Sequence, residues 1–177
     1  MTIDNFKILT DRLELRPHRP DDVDFMVELN SDPEITRYVP DGPIDAAQAS
    51  KLIASIRSQF LDRSIGRFVV IEKQTRKKLG WCGLKWIEDI QEIDLGYRFM
   101  KSAWGKGYAR EAAQACLDYG FNTLKFEKII AQIMPANTAS VALAKRLGMK
   151  EVNRVIEDGE EFLVFEIRST LKIQNPP

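Results

Sequence analysis

Cysteine and histidine are nearly absent: the 177 residues contain only Cys82, Cys116 and His18 of these types. So small a set cannot build a disulfide framework or a Cys-based zinc site; no metal is expected, and the count suits a reducing compartment. An excess of one charge is missing too, because 26 Lys and Arg balance 26 Asp and Glu. The one basic cluster, QTRKK at 74–78, lies between two strand-like runs and reads as a solvated turn, so direct nucleic-acid binding is not expected. No run approaches membrane-spanning length, and no basic start leads into an apolar leader. The expectation is a soluble, cytoplasmic protein that engages no membrane. Repeats and linkers are also lacking, which leaves one domain over 1–177, with 171–177 as a frayed tail.

What the chain does have is patterned apolar sequence. Residues 12–17 (RLELRP) alternate as a half-buried strand does. A first helix is predicted from Pro20, with Asp21 and Asp22 at the positive end of its dipole, stopping near Asp32 and Pro33. A second is predicted from Asp45, where Asp45 and Gln48 form a capping box, to about Asp62. The runs 68–72 (FVVIE), 79–87 (LGWCGLKWI) and 92–99 predict three antiparallel strands. A helix separates 92–99 from the short buried-type strand 128–134, the pattern of a parallel crossover. A helix over 138–147, capped by Gly148, and two strands at 151–157 and 161–169 complete an α/β (α+β) fold with a mixed sheet.

The organising stretch is 92–120, EIDLGYRFMKSAWGKGYAREAAQACLDYG: a strand, a glycine loop, then a helix with small residues on one face. Such a helix N-terminus can hold an anion, because the N-H groups from about Trp104 to Ala109 have no earlier carbonyls to bond and Gly105 and Gly107 permit close approach or positive φ. Two phosphate templates fail. A Walker loop needs Gly-Lys-Ser/Thr, but here Gly107 and Tyr108 follow Lys106. A dinucleotide fingerprint needs a third glycine where Arg110 stands. A third template, a loop wrapping the pyrophosphate of coenzyme A, fits the stretch, and so does a plain helix N-terminus with a glycine-rich entry.

A second motif, PANTASVALAKRLGM at 135–149, places Asn137 in a loop and Ser140 one turn into a helix. Together with LTDRLELRP, PEITRYVP, IDLGYRF and WGKGYAREA, in that order, it resembles the GNAT superfamily of N-acetyltransferases, most closely the RimJ/RimL-like branch. The resemblance spans nearly the whole chain. It implies a mostly antiparallel mixed sheet, helices on both faces, and a central parallel pair, 94–99 and 128–134, that splays to admit acetyl-CoA. It departs from the family pattern at Met100-Lys101-Ser102-Ala103, where an acidic residue and a proline are common, and at Gly148-Met149, where Gly-Phe is usual.

The resemblance further implies that backbone groups near Phe99 and Met100 bind the pantetheine amides and polarise the thioester. Trp104, Gly105, Lys106, Gly107, Tyr108 and Ala109 would hold the pyrophosphate, Asn137 would touch the cofactor arm, and Ser140 would protonate the leaving thiolate. Acetyl transfer also needs an uncharged amine. Asp94 is the first choice of base, since alternation sets it on the face of Gly96; Glu92 shares that face and Glu88 is a third choice. Tyr97 and Tyr108 read as packing residues able to donate, and His18 reads as an exposed loop residue. The expected acceptor is a protein N-terminus or a small amine, and the protein a monomer or homodimer. A non-catalytic acyl-CoA-binding module is the alternative, and a nucleotide-triphosphate binder is disfavoured by the failed Walker pattern.

Overall fold

The computed structural model describes residues 3–38 and 42–170; the 171–177 tail and the middle of the 35–43 connection lie outside them. The strands are β1 (Ile8–Leu9), β2 (Leu13–Arg16), β3 (Arg67–Glu72), β4 (Lys78–Ile87), β5 (Glu92–Phe99), β6 (Lys128–Ile133), β7 (Lys150–Glu157) and β8 (Glu160–Arg168). They form one sheet in the order β1-β2-β3-β4-β5-β6-β8-β7, antiparallel throughout except at β5 and β6. The helices are α1 (Val23–Ser31), α2 (Pro33–Thr36), α3 (Ala46–Arg63), α4 (Tyr108–Asp118) and α5 (Thr138–Arg146).

The central strands are apolar on both sides because both sides are covered. Along β3, Phe68 and Val70 join the core under α4 and α5, whereas Val69 and Ile71 join a second core with Phe25, Met26, Leu29, Ala49 and Ile53 of α1 and α3. On α4, Ala112, Ala113, Cys116 and Leu117 are fully buried, and their small size lets the helix sit close to the sheet: the Cys116 and Cys82 sulfurs are 3.8 Å apart. α3 starts with the expected capping box, Asp45 accepting from the Gln48 N-H while the Gln48 side chain accepts from Asp45. α4 ends in a π-helical turn, Tyr119–Thr123, whose Gly120 packs tightly: a Cβ there would lie 2.8 Å from Ile129 Cδ1 and 3.0 Å from Leu84 Cδ1, so those side chains would have to shift.

Between β2 and α1 the chain makes a single 3-10 turn, Pro20–Asp22, around a buried ion pair. Arg16 grips Asp22 with both guanidinium nitrogens at 2.7 and 2.9 Å, and Lys78 adds a contact at 2.6 Å. These bonds hold the Asp22 carboxyl far below the usual carboxylate range despite burial. His18 lies against this network. Its expected exposure is wrong: it is fully buried, and neither ring nitrogen has a hydrogen-bond partner among the described residues. Burial pulls the imidazole down to about 4.

That shift makes a prediction. The unfolded chain takes up this proton below its ordinary pKa near ~6.5 while the folded state resists it, so the contribution is full above that pH and is lost as pH falls toward 4. Urea unfolding should show about 2–3 kcal/mol of His18-dependent loss between pH 7 and pH 4.5. His18→Leu should flatten the profile by that amount; an unchanged slope refutes the assignment.

Candidate active site

β5 and β6 share a single rung, Asp94 with Ile130. Beyond it each strand stays paired on its outer side, β5 with β4 as far as Phe99 and β6 with β8 as far as Ile133, while the inner edges part. Asp94 marks the branch point. Its carboxylate accepts the Gln132 backbone N-H at 3.2 Å, so a side chain takes the donor that the ladder leaves behind.

The phase of the ladder decides which backbone groups face the opening. Met100 donates its N-H to the Leu79 carbonyl at 2.8 Å, and its own carbonyl accepts from Ala103. Polar groups alternate sides along an antiparallel strand, so those of Asp94, Gly96 and Arg98 also face β4, while those of Tyr97 and Phe99 face the cleft. Met100 is therefore corrected: both its backbone groups are engaged internally. The Phe99 carbonyl accepts from the Trp104 indole at 2.9 Å, and the backbone groups of Tyr97 face the opening.

The glycine loop is shaped for an anion. Gly105 has φ +71° and Gly107, the N-cap of α4, has φ +80°. Residues 104–107 form a turn, and none of the N-H groups of Gly105, Lys106, Gly107, Tyr108 or Ala109 makes a close, well-aligned backbone bond among the described residues; the first helical bond is from Glu111 to Gly107. Trp104 departs from expectation, since its N-H donates to the Lys101 carbonyl at 3.1 Å. The loop is fixed from behind by Arg12, which donates to the Lys106 carbonyl at 3.0 Å and to Glu111 at 2.7 Å and packs over the Tyr108 ring. Thr10 adds a 2.6 Å bond to Glu111, and these donors together hold the Glu111 carboxyl below its usual range against the effect of burial.

Side-chain alternation divides the chemistry between the two faces of the split sheet. On the α1/α3 face stand Asp94, Gly96 and Arg98, with Arg67 of β3 and Trp81 of β4; Arg67 lies 3.9 Å from the Asp94 carboxylate and 4.5 Å above the Trp81 ring. Asp94 is only 8% exposed, and burial raises its pKa, with the Arg67 charge and the Gln132 N-H opposing. A raised carboxylate pKa is what a base needs. Glu92 shares the face but sits on the closed side of the rung, bonded to the Lys128 ammonium. Glu88 is exposed and takes the Trp86 indole N-H, remote from the opening.

On the α4/α5 face, Tyr97 points toward the start of α5. Asn137 caps that helix, accepting the Ser140 N-H at 3.1 Å, and Ser140 is half-buried. Its hydroxyl lies beside the Tyr97 hydroxyl without completing a hydrogen bond. Burial pushes the Tyr97 phenol up to about 12. Such a group stays protonated at neutral pH and stabilises a thiolate by hydrogen bonding rather than by full proton transfer. Ser140→Ala should therefore lower kcat about 10-fold or less while leaving the acetyl-CoA Kd within about 2-fold; a stopped enzyme or a matching loss of affinity contradicts this.

An open groove of about 1000 Å³ lies elsewhere: it runs between α4 and residues 6–12, lined in part by Arg110, Gln114 and Asp118. It does not contain Asp94, Tyr97 or Ser140. Among the described residues no His/Cys/Asp/Glu group could hold a metal ion, and no helix is long and apolar enough to cross a membrane.

A mixed sheet opened at one parallel rung, with an anion-ready helix start beside the opening, is the layout of an acetyltransferase. The chain belongs to the GNAT family: residues 12–150 match the model of the Acetyltransferase (GNAT) domain. It is 36% identical over 146 residues to an uncharacterized N-acetyltransferase, p20, of Bacillus licheniformis, covering 81% of this chain and 82% of that one. A crystal structure of a GNAT-family acetyltransferase from Bacillus anthracis superposes with a TM-score of 0.80 at 25% identity, over 92% of this chain and 98% of that one. The fold is shared, at 16% identity and a TM-score of 0.81, with RimL, a ribosomal L7/L12 α-N-protein acetyltransferase in complex with coenzyme A, over 93% of this chain and 98% of that one.

Proposed function

We propose that this chain is a RimJ/RimL-like N-acetyltransferase of the cytoplasm that moves an acetyl group from acetyl-CoA to a primary amine by direct attack. The observation that carries the reading is the single β5–β6 rung, with a buried carboxylate on one face of the opening and two hydroxyls on the other. The N-H groups of Gly105, Lys106, Gly107, Tyr108 and Ala109 suit a pyrophosphate, and the cleft-facing groups of Tyr97 and Phe99 suit the amides of an extended pantetheine arm. Acetyl-CoA supplies an activated thioester.

The amine arrives mostly protonated, near pKa ~10.4 for a Lys ε-amine and ~7.7–8.0 for an α-amine, so an α-amine needs less help. Asp94, directly or through water, takes the ammonium proton on the α1/α3 face. The nitrogen attacks the carbonyl carbon through the opening, the N–C bond forms and the C–S bond breaks. On the far face Ser140 and Tyr97 stabilise the departing thiolate by hydrogen bonding, and the proton that the nitrogen sheds after attack converts it to the free thiol. The acceptor is either a protein N-terminus or a small amine. RimL acts on a protein α-amine, which supports the first.

Free-thiol release from acetyl-CoA, measured against N-terminal peptides, polyamines and aminoglycosides, tests this. Thiol release matched by acetylated amine supports it. Binding without release with any amine would instead make the chain an acyl-CoA-binding module.

A further inference from the structure

The parting of β5 from β6 strands backbone groups on both inner edges, and side chains take two of them. On β6 the Gln132 N-H goes to the Asp94 carboxylate at 3.2 Å. On β5 the Phe99 carbonyl goes to the Trp104 indole at 2.9 Å. The two side chains are held very differently. Asp94 is buried beside Arg67, whereas Trp104 is 48% exposed and its ring joins neither apolar core, so little besides the indole bond fixes it. Its backbone is anchored independently of the ring. Trp104 donates its N-H to Lys101 at 3.1 Å, at the end of the 3-10 turn Lys101–Ala103, whose Ala103 is packed in the core. On its other side Gly105 stands at φ +71°, where a Cβ would meet nothing within 4 Å. The indole therefore has open space into which it can turn about its own side-chain bonds while the turn beneath it stays in place.

We propose that Trp104 is the gate of the pantetheine channel: its indole N-H is a placeholder for an amide N-H of the coenzyme arm, and the arriving arm takes the Phe99 carbonyl from it. The inference rests on the acetyl-transfer reading above and adds a step to cofactor binding. The Phe99 carbonyl faces the opening, so a donor that reaches it stands on the same strand edge along which an extended arm would lie. Ring and arm compete for that edge. One neutral N-H···O bond is exchanged for another, so the gate opens at little net cost to a ligand that brings its own amide. Before that exchange the indole satisfies a carbonyl that the split leaves behind and blunts a strand edge open to unwanted pairing. The N-H groups of residues 105–109 can be reached without moving the ring. A ligand with the pyrophosphate but no arm should bind there and leave the gate shut.

Proton exchange at the indole nitrogens of the isotope-labelled full chain reads the gate directly. The chain has three tryptophans, and the Trp104 signal is the one lost in Trp104→Phe. Coenzyme A should speed exchange of that proton about 10-fold or more, whereas 3′-phospho-ADP, the same head group without the arm, should leave it within about 2-fold. Trp104→Phe keeps an aromatic ring and removes the donor. With its fold intact by circular dichroism, it should bind coenzyme A about 2- to 10-fold more tightly by calorimetry, the value of one neutral hydrogen bond, and 3′-phospho-ADP with an unchanged Kd. Exchange unaltered by coenzyme A, an equal response to both ligands, or weaker coenzyme A binding by Trp104→Phe overturns the gate while the acetyl-transfer reading stands. Failure of the wild-type protein to bind either ligand overturns that reading and the gate together.

Discussion

Asp94→Asn is expected to lower kcat/KM by about 10²- to 10⁴-fold at neutral pH, the range that general base catalysis commonly contributes. Asparagine retains an oxygen able to accept the Gln132 N-H, so the rung and the opening should persist while the proton acceptor is lost. The deficit should therefore depend on pH. Well below the amine's pKa nearly every acceptor molecule carries a proton that must be removed. Above it the amine is already neutral, and the variant should approach the parent rate. Because burial raises the Asp94 pKa, the parent's acidic limb should lie above the ordinary carboxylate range, and that limb should vanish in the variant. A pH–rate profile checks both features; parallel profiles would assign the base role to water or another residue.

Gly107→Val should produce the second large effect, on cofactor affinity. Gly107 is the N-cap of α4 at φ +80°, a region that a β-branched residue avoids at a cost of about 1–3 kcal/mol, and its new Cβ would stand 3.4 Å from Arg12 Nη2. Arg12 cannot retreat freely because it also bonds Glu111 and the Lys106 carbonyl. The loop, not the side chain, should give way, misaligning the N-H groups that face the anion. Acetyl-CoA binding by calorimetry should weaken about 10-fold or more, with the fold intact by circular dichroism. An unchanged Kd would mean that the pyrophosphate lies elsewhere.

Much of this layout is legible in the sequence, and for physical reasons. The capping box at Asp45 and Gln48, the positive φ at Gly105 and Gly107, and the small face of α4 are local or periodic features, and local chemistry fixes them. The parallel crossover also follows from order alone, since a helix between two strands returns the chain in the same direction. The side of the sheet on which Asp94 stands is equally a matter of alternation.

What the sequence conceals depends on partners distant in the chain. Side-chain alternation does not reveal which backbone groups face β4 and which face the cleft; that phase is set by pairing with Leu79 and Gly80, and it turns the Met100 N-H toward β4 and the Tyr97 and Phe99 groups toward the cleft. His18 looks exposed because prolines flank its neighbourhood, yet Arg16, Asp22 and Lys78 close over the turn and bury it. Glu92 and Asp94 are equivalent in the alternation, and only the position of the one shared rung separates a carboxylate at the opening from one paired to Lys128. Gln132 carried no signal, because its importance lies in a bond to a residue 38 positions away.

Amide hydrogen exchange with and without acetyl-CoA tests the central assignment most directly, since it reads backbone N-H groups one segment at a time. Protection on binding should be confined to residues 97–99 and 105–110, the cleft edge of β5 and the glycine loop. Protection centred instead on residues 6–12 and the outer face of α4, with 97–99 unaffected, would place the ligand in the groove on the other side of the helix and contradict the site described.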